Sequence, residues 1–332
     1  MTGVEDALAA IDGWVDGGLV PAVAAVVVDA NGVIAERYAG VRERRGGEPV
    51  GGDTLFALAS LTKPLVAAAC MVALEEGLLE LDAEVRDGFT LRHLLSHCAG
   101  LPEAGLRWQE APEFEPGTQR WYSNGGYVQA ARLLEAASGM SAAAYLHEAV
   151  LEPLGMDASL GLREADAPRT ATVWQPGRYG DDELFNSARF RRDAPPQGGG
   201  FATARAYGAF LSCLLSQGSA PGGALLAAET VEEMLAPQFG PLPGGVTGVG
   251  EWPDLCWGLG FDVRGHREPH WSGPTLSARA SSHFGASGTL AWLDPEIGIG
   301  LVALASRGTY AGWWREPWAA LGAAVTAAAA VA

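Results

Sequence analysis

The sequence predicts an α/β protein of the α+β type, an antiparallel sheet flanked by helices and joined to a mainly helical lobe. Two observations predict the layout. β-branched apolar runs occur near both ends, at 22–30 and again between 257 and 306, and helical periodicity fills most of the stretch between them. Composition agrees: 332 residues, 48% hydrophobic and 18% charged, suffice for a sizeable core. Strands at the two ends can reunite in one sheet. The chain is thus expected to form one unit over 1–332, with an α/β lobe from 1–63 and 255–332 and a mainly helical lobe over 64–254.

Residues 2–17 read as an amphipathic helix, with Leu8, Ile11 and Val15 at helical spacing. The run AVAAVVVDA (22–30) and the return VIAERYAGV (33–41) flank Asn31-Gly32, a strong signal for a two-residue hairpin turn. A loop is expected over 42–53, then the short apolar run LFALA (55–59) and Ser60. TKPLVAAACMVALEEG (62–77) predicts a helix, with Pro64 in its first turn and Gly77 near its end. LRHLLSHCAG (91–100) predicts a shorter one, and helical patterns recur at 126–138, 141–151, 202–217 and 228–236. The Gly/Pro-rich stretches 194–200 and 240–250 read as loops. Strands are expected at 257–263, 288–294 and 297–306, and a last helix closes the chain.

The net charge of −17 disfavours nucleic acid and anionic lipid as partners, because affinity for polyanions rests on cationic side chains. The N-terminus has no basic and apolar signal-peptide pattern, and the Ala-rich tail 319–332 is shorter than the ~20 residues that span a bilayer. A cytoplasmic protein without membrane association is expected. Four widely spaced cysteines form no CxxC and no disulfide framework. His93 and His97 sit four apart, but Leu94 stands where the H-E-x-x-H zinc motif has its glutamate, so no metal is expected. The glycines of 244–250 open no βαβ unit, and no nucleotide cofactor is expected either. Some of the eleven tryptophans, among them Trp108, Trp121, Trp313 and Trp314, are candidates to line an apolar cleft.

Of 22 basic residues 21 are arginine; Lys63 is the single lysine. Arginine stays protonated, whereas burial can bring a lysine to neutrality. Lys63 closes an S-x-x-K with Ser60 at a predicted helix start. Residues three apart share a helix face, about 5–6 Å apart at Cβ. A serine hydroxyl becomes a nucleophile when a neighbouring base takes its proton, and here the amine is in reach. Tyr122-Ser123-Asn124 follows within PGTQRWYSNGGY. A phenol can act as acid or base when cations lower its pKa, and an asparagine can hold a substrate amide or orient the lysine. His283-Phe284-Gly285-Ala286-Ser287-Gly288 lies between two strand-like runs. Its glycines allow close backbone approach, and a backbone N–H there can complete an oxyanion hole with that of Ser60.

In this order and spacing the three elements resemble the serine β-lactamase and penicillin-binding-protein superfamily, with its DD-peptidases and family VIII esterases. Further stretches agree: GLLELDAEV, LRHLLSHCAGLP, the PGT before Y-S-N, and GGGFATARAYGAFL. Y-S-N resembles the class C lactamase and esterase branch. The resemblance implies a β-lactamase/transpeptidase-like fold with a cleft between the lobes. It implies Ser60 as nucleophile, Lys63 and Tyr122 as general bases, and Asn124, His283, Gly285 and Ala286 as substrate-binding. His283 stands where class C lactamases carry the lysine of K-T-G, which helps bind a substrate carboxylate. The expected activity is therefore hydrolysis of small esters or amides through an acyl-enzyme, esterase-like first. The alternatives are D-amino-acid peptidase or β-lactamase activity, acyl transfer on the same fold, and a non-catalytic binding protein.

Overall fold

The computed structural model describes residues 2–44, 46–104, 107, 109–176 and 183–330. Ten strands form its main sheet: β1 Ala22–Asp29, β2 Gly32–Glu43, β3 Gly46–Pro49, β4 Arg120–Trp121, β5 Leu242–Val246, β6 Gly250–Trp257, β7 Asp262–Val263, β8 Ser281–Gly285, β9 Thr289–Asp294 and β10 Ile299–Ala305. Across the sheet they run β3-β2-β1-β10-β9-β8-β7-β6-β5-β4. All neighbours are antiparallel except β5 and β4. The N-terminal hairpin thus lies beside the C-terminal strands, the reunion that the sequence predicts.

β1 is apolar on every residue but its last because both of its faces are covered. Ala22, Ala24, Val26 and Val28 share one core with Val302, Leu304 and the helices α3 (Thr62–Glu75) and α6 (Ala204–Leu215). Val23, Ala25 and Val27 face the other core, built with α1 (Thr2–Leu8), α2 (Ala10–Asp16) and α7 (Arg315–Ala329). Trp318, Leu321 and Val325 recur at helical spacing on the buried stripe of α7. α4 (Leu91–Leu95) and α5 (Asn124–Ser138) pack together beside α3.

Several local expectations are corrected. The N-terminal helix is two helices broken at Ala9. Asp29 pairs with Gly32, so the hairpin turns on Ala30-Asn31, one residue early, where the Asn31 N–H donates to Asp29 Oδ1 at 2.7 Å. The 42–53 loop contains β3, and the Gly/Pro-rich 240–250 stretch holds β5 and the start of β6. The run 257–263 is a tight turn between β6 and β7, in which Trp257 pairs with Asp262, and not one strand. Glycines mark such turns as readily as they mark loops; pairing with a distant strand decides between them.

Candidate active site

Ser60 sits in the 3₁₀ turn Ala59–Leu61, directly before α3. Ala59 holds φ +46°, in the left-handed region that costs an L-residue roughly 1–2 kcal/mol. Side chains from elsewhere hold that backbone. Ser287 Oγ donates to Ala57 O at 2.6 Å, Thr289 Oγ1 to Leu58 O at 2.9 Å, Thr62 Oγ1 to Ala59 O at 2.7 Å and Tyr207 Oη to Leu61 O at 3.0 Å. Every carbonyl from 57 to 61 except that of Ser60 thus accepts a bond from one of these side chains or, like Ala57 O, from the third motif.

Lys63 lies one turn on and is fully buried. Its Nζ is 2.9 Å from Ser60 Oγ, 2.8 Å from Asn124 Oδ1 and 2.7 Å from Gln197 O. Burial pushes the amine far below its usual value; the charge of Glu103 opposes that shift. Gln197 and Glu103 are absent from the sequence reading. Gln197 contributes a backbone carbonyl, to which its side-chain type is no guide; the signal was the 194–200 loop. That loop is tied to α3, since Gly200 N–H donates to Thr62 Oγ1 at 2.8 Å.

The Y-S-N motif works by alternation. Ser123 is extended (φ −129°, ψ 119°) and caps α5, accepting from Gly126 N at 3.1 Å. Its hydroxyl donates to Pro102 O at 3.0 Å. Extended backbone places Tyr122 and Asn124 on one side, where Asn124 Oδ1 meets Lys63 Nζ and the Tyr122 ring centroid lies 4.8 Å from the same amine. The expectation that cations lower the tyrosine's pKa is not met. Burial raises it, the nearby Ser60 hydroxyl opposes, and Glu103 adds to the rise. The phenol is therefore protonated at neutral pH. Arg120, also missed, is buried and donates to Leu255 O (3.1 Å), Ser96 O (2.8 Å), Trp257 O (3.4 Å), Gln238 O (2.6 Å) and Gly240 O (3.0 Å). It ties α4, β6 and the 238–240 loop to the strand that delivers Tyr122.

His283 and Gly285 lie on β8, and Ala286 follows. A Cβ on Gly285 would fall 2.1 Å from Leu58 O, so only glycine lets β8 approach the Ser60 turn this closely. Ala286 packs against the cluster that contains Ala57 and Ala59. The His283 ring lies 6.0 Å from that of Tyr122 and 5.6 Å from that of Trp257. Burial, with Lys63 beside it, pushes the imidazole down to about 3, so it is neutral. Its Nδ1 is 2.8 Å from Phe284 O, which can only accept; Nδ1 carries the hydrogen and the buried Nε2, with no partner among the described residues, holds the lone pair.

His93 and His97 do not come together. α4 ends at Leu95; His93 stacks on Phe239 at 4.3 Å, while His97 turns inward with φ +61°. His97 lies 4.4 Å from the Tyr122 ring and accepts from Ser123 N at 3.0 Å, which positions the motif. Among the described residues no group of three or more His, Cys, Asp or Glu could hold a metal ion. All four cysteines are free. Trp313 and Trp314 belong to the core behind the sheet, with Phe284 and Trp318, and not to the cleft. Trp121 is half-buried against Gly245, and Trp108 lies outside the described residues. No helix among them is long and apolar enough to cross a membrane.

A family model described as Beta-lactamase matches residues 9–324. Penicillin-binding protein 4* of Bacillus subtilis is 33% identical over 151 residues, 36% of this chain and 33% of its own length. Esterase EstB of Burkholderia gladioli is 32% identical over 204 residues, 48% of this chain and 51% of EstB. The matched stretches thus span between a third and about half of these relatives. The solved structure of a β-lactamase from Mycobacterium bovis superposes with a TM-score of 0.76 at 34% identity, covering 97% of this chain and 99% of that one. The chain belongs to the Beta-lactamase family.

Proposed function

We propose that the protein hydrolyses small carboxylic esters through an acyl-enzyme on Ser60, with Lys63 as the base. The observation that carries this is the set of partners around Lys63 Nζ. Asn124 Oδ1 and Gln197 O can only accept, and a neutral amine has two hydrogens and one lone pair. In the free-amine form, which burial favours, the hydrogens go to the two carbonyls and the lone pair is left for the Ser60 hydroxyl at 2.9 Å.

In acylation Ser60 Oγ bonds to the carbonyl carbon as its proton passes to Lys63. The backbone N–H groups of Ser60 and Ala286 receive the oxyanion. Tyr122, protonated and beside Lys63, gives its proton to the departing alkoxide and is reprotonated from Lys63. Water then releases the acid by the same groups in reverse. Ser60, Lys63 and His283 come from the proposed α/β lobe, while Tyr122, Asn124 and Gln197 come from the helical one, which supports a cleft between them.

The ester preference rests on His283. A neutral imidazole stands where a carboxylate-binding lysine would, so the site lacks the charge that holds a lactam's acid group. The test is a plate of short-chain nitrophenyl esters, D-aminoacyl anilides and a chromogenic cephalosporin. Esters should turn over fastest, and Ser60→Ala should abolish the activity. Efficient cephalosporin hydrolysis with negligible esterase activity would reverse the ranking.

A further inference from the structure

The strand Ala158–Leu160 and the short helix Ala188–Asp193 stand on two sides of a cavity of about 600 Å³, a size common to small-molecule sites. None of Ser60, Lys63, Tyr122, Asn124 or His283 lines it. The two sides are joined, since the Leu162 N–H donates to Arg191 O and the Gly161 N–H to Gly199 O, both at 2.9 Å. Leu162 also packs on the cluster of Ala57, Ala59 and Phe201, so one wall of the cavity backs onto the turn that carries Ser60.

Half-buried Leu160 and Leu162 give the lining its apolar part. Most of its polar groups are satisfied within the chain. Ser159 Oγ donates to Gly161 O at 2.6 Å, and Asn186 exchanges bonds of 2.9 and 2.7 Å with the backbone of Val173. Arg163 pairs with Asp166 at 2.5 Å, and Arg192 reaches Asp193 at 3.4 Å. Arg191 is different. Its Nε is buried without a hydrogen-bond partner, and no carboxylate among the described residues pairs with its guanidinium. Glu164, the carboxylate of the described lining, is exposed and forms no ion pair with it. Burial lowers the Arg191 pKa, and no neighbouring charge opposes that shift.

A buried donor without a partner calls for one. The Nε edge of a guanidinium is a two-pronged fork that matches the two oxygens of a carboxylate. This chain carries 39 acidic against 22 basic side chains, yet none of the described acids fills that fork. Beside it lies an apolar wall that suits a hydrocarbon chain.

We infer that this cavity binds a small aliphatic carboxylate, with its oxygens on the Nε edge of Arg191 and its chain against Leu160 and Leu162. The site is separate from Ser60, and the inference stands independently of the esterase reading.

Isothermal titration of the full chain tests it with octanoate, with octanamide, which keeps the chain without the charge, and with octyltrimethylammonium. Octanoate should bind saturably, and the other two at least about tenfold more weakly. Arg191→Gln, checked for folding by circular dichroism, should bring octanoate down to the level of octanamide. Arg191→Lys, which keeps the charge but not the fork, should recover part of the difference. Where Arg191→Gln does not fold, Arg191→Met takes its place, and the three probes on the native protein still decide whether charge is recognised. Equal binding of octanoate and octanamide, native affinity for octanoate without the arginine, or no saturable binding of octanoate would each overturn the inference.

Discussion

Thr289 donates its hydroxyl to the carbonyl of Leu58 at 2.9 Å, tying the first residue of β9 to the turn that carries Ser60. The nucleophile's backbone is therefore held by a hairpin more than two hundred residues away. Thr289→Val keeps the shape and removes one of the two hydrogen bonds that Leu58 O accepts, the other coming from Leu61 N at 3.1 Å, which should cost about 0.5–1.5 kcal/mol in stability. It should also lower kcat/KM by about tenfold, because the left-handed Ala59 loses a restraint. Urea melts and ester kinetics on the variant check both. Native stability would show that the bond adds nothing.

Gly285→Ala tests the close approach of β8. The added methyl meets Leu58 O and must push the strand from the Ser60 turn. A fluorophosphonate probe should label the native protein at Ser60 and the variant at least about 10²-fold more slowly, as expected when reacting groups are misplaced by about an ångström. Labelling of the variant at the native rate would mean that the oxyanion hole does not depend on this glycine.

Lys63 should set the acid limb of the pH profile. The free amine is the active form, so kcat/KM should rise with pH through a value well below that of an ordinary lysine and then level off. His283, at about 3, and His97, which burial holds far below its usual value, both titrate on the acid side of an ordinary imidazole. Glu103→Gln removes the charge that favours the ammonium form, so the limb should move to lower pH. Lys63→Arg and Lys63→Met should both fold, by circular dichroism, and lose at least about 10²-fold in kcat/KM, since arginine stays protonated and methionine accepts no proton. Arginine keeping more than about a third of native activity would rule out proton transfer by Lys63.

The same burial links Lys63 to stability. Between its lowered folded value and its ordinary unfolded one, the unfolded chain binds one more proton than the folded chain, so this residue's contribution makes stability rise with pH. Denaturant melts across that window should show the slope, and Lys63→Met should flatten it.

Tyr122→Phe deletes the hydroxyl and keeps the ring packed between His97 and Trp257. Folding should survive while kcat falls by roughly 10²–10⁴, the range for lost general acid–base help. A variant with native kcat across the pH range would make Tyr122 structural.

The sequence by itself determined what local pattern encodes. The S-x-x-K at a helix start, the only lysine in the chain, the Y-S-N before α5 and the apolar strands at both ends were all legible, because helix and strand periods and residue chemistry are written in neighbouring residues. Only the tertiary structure decided what distant segments do to one another. It brought in Gln197 through a backbone carbonyl, for which side-chain identity carries no signal, and Arg120 through carbonyls from three separate segments. It made strands of the glycine-rich 242–257 stretch by pairing it with β4 and β7. Burial also reversed the expected shift of Tyr122, since the cost of desolvating a phenolate depends on everything packed around it and on nothing adjacent in the chain.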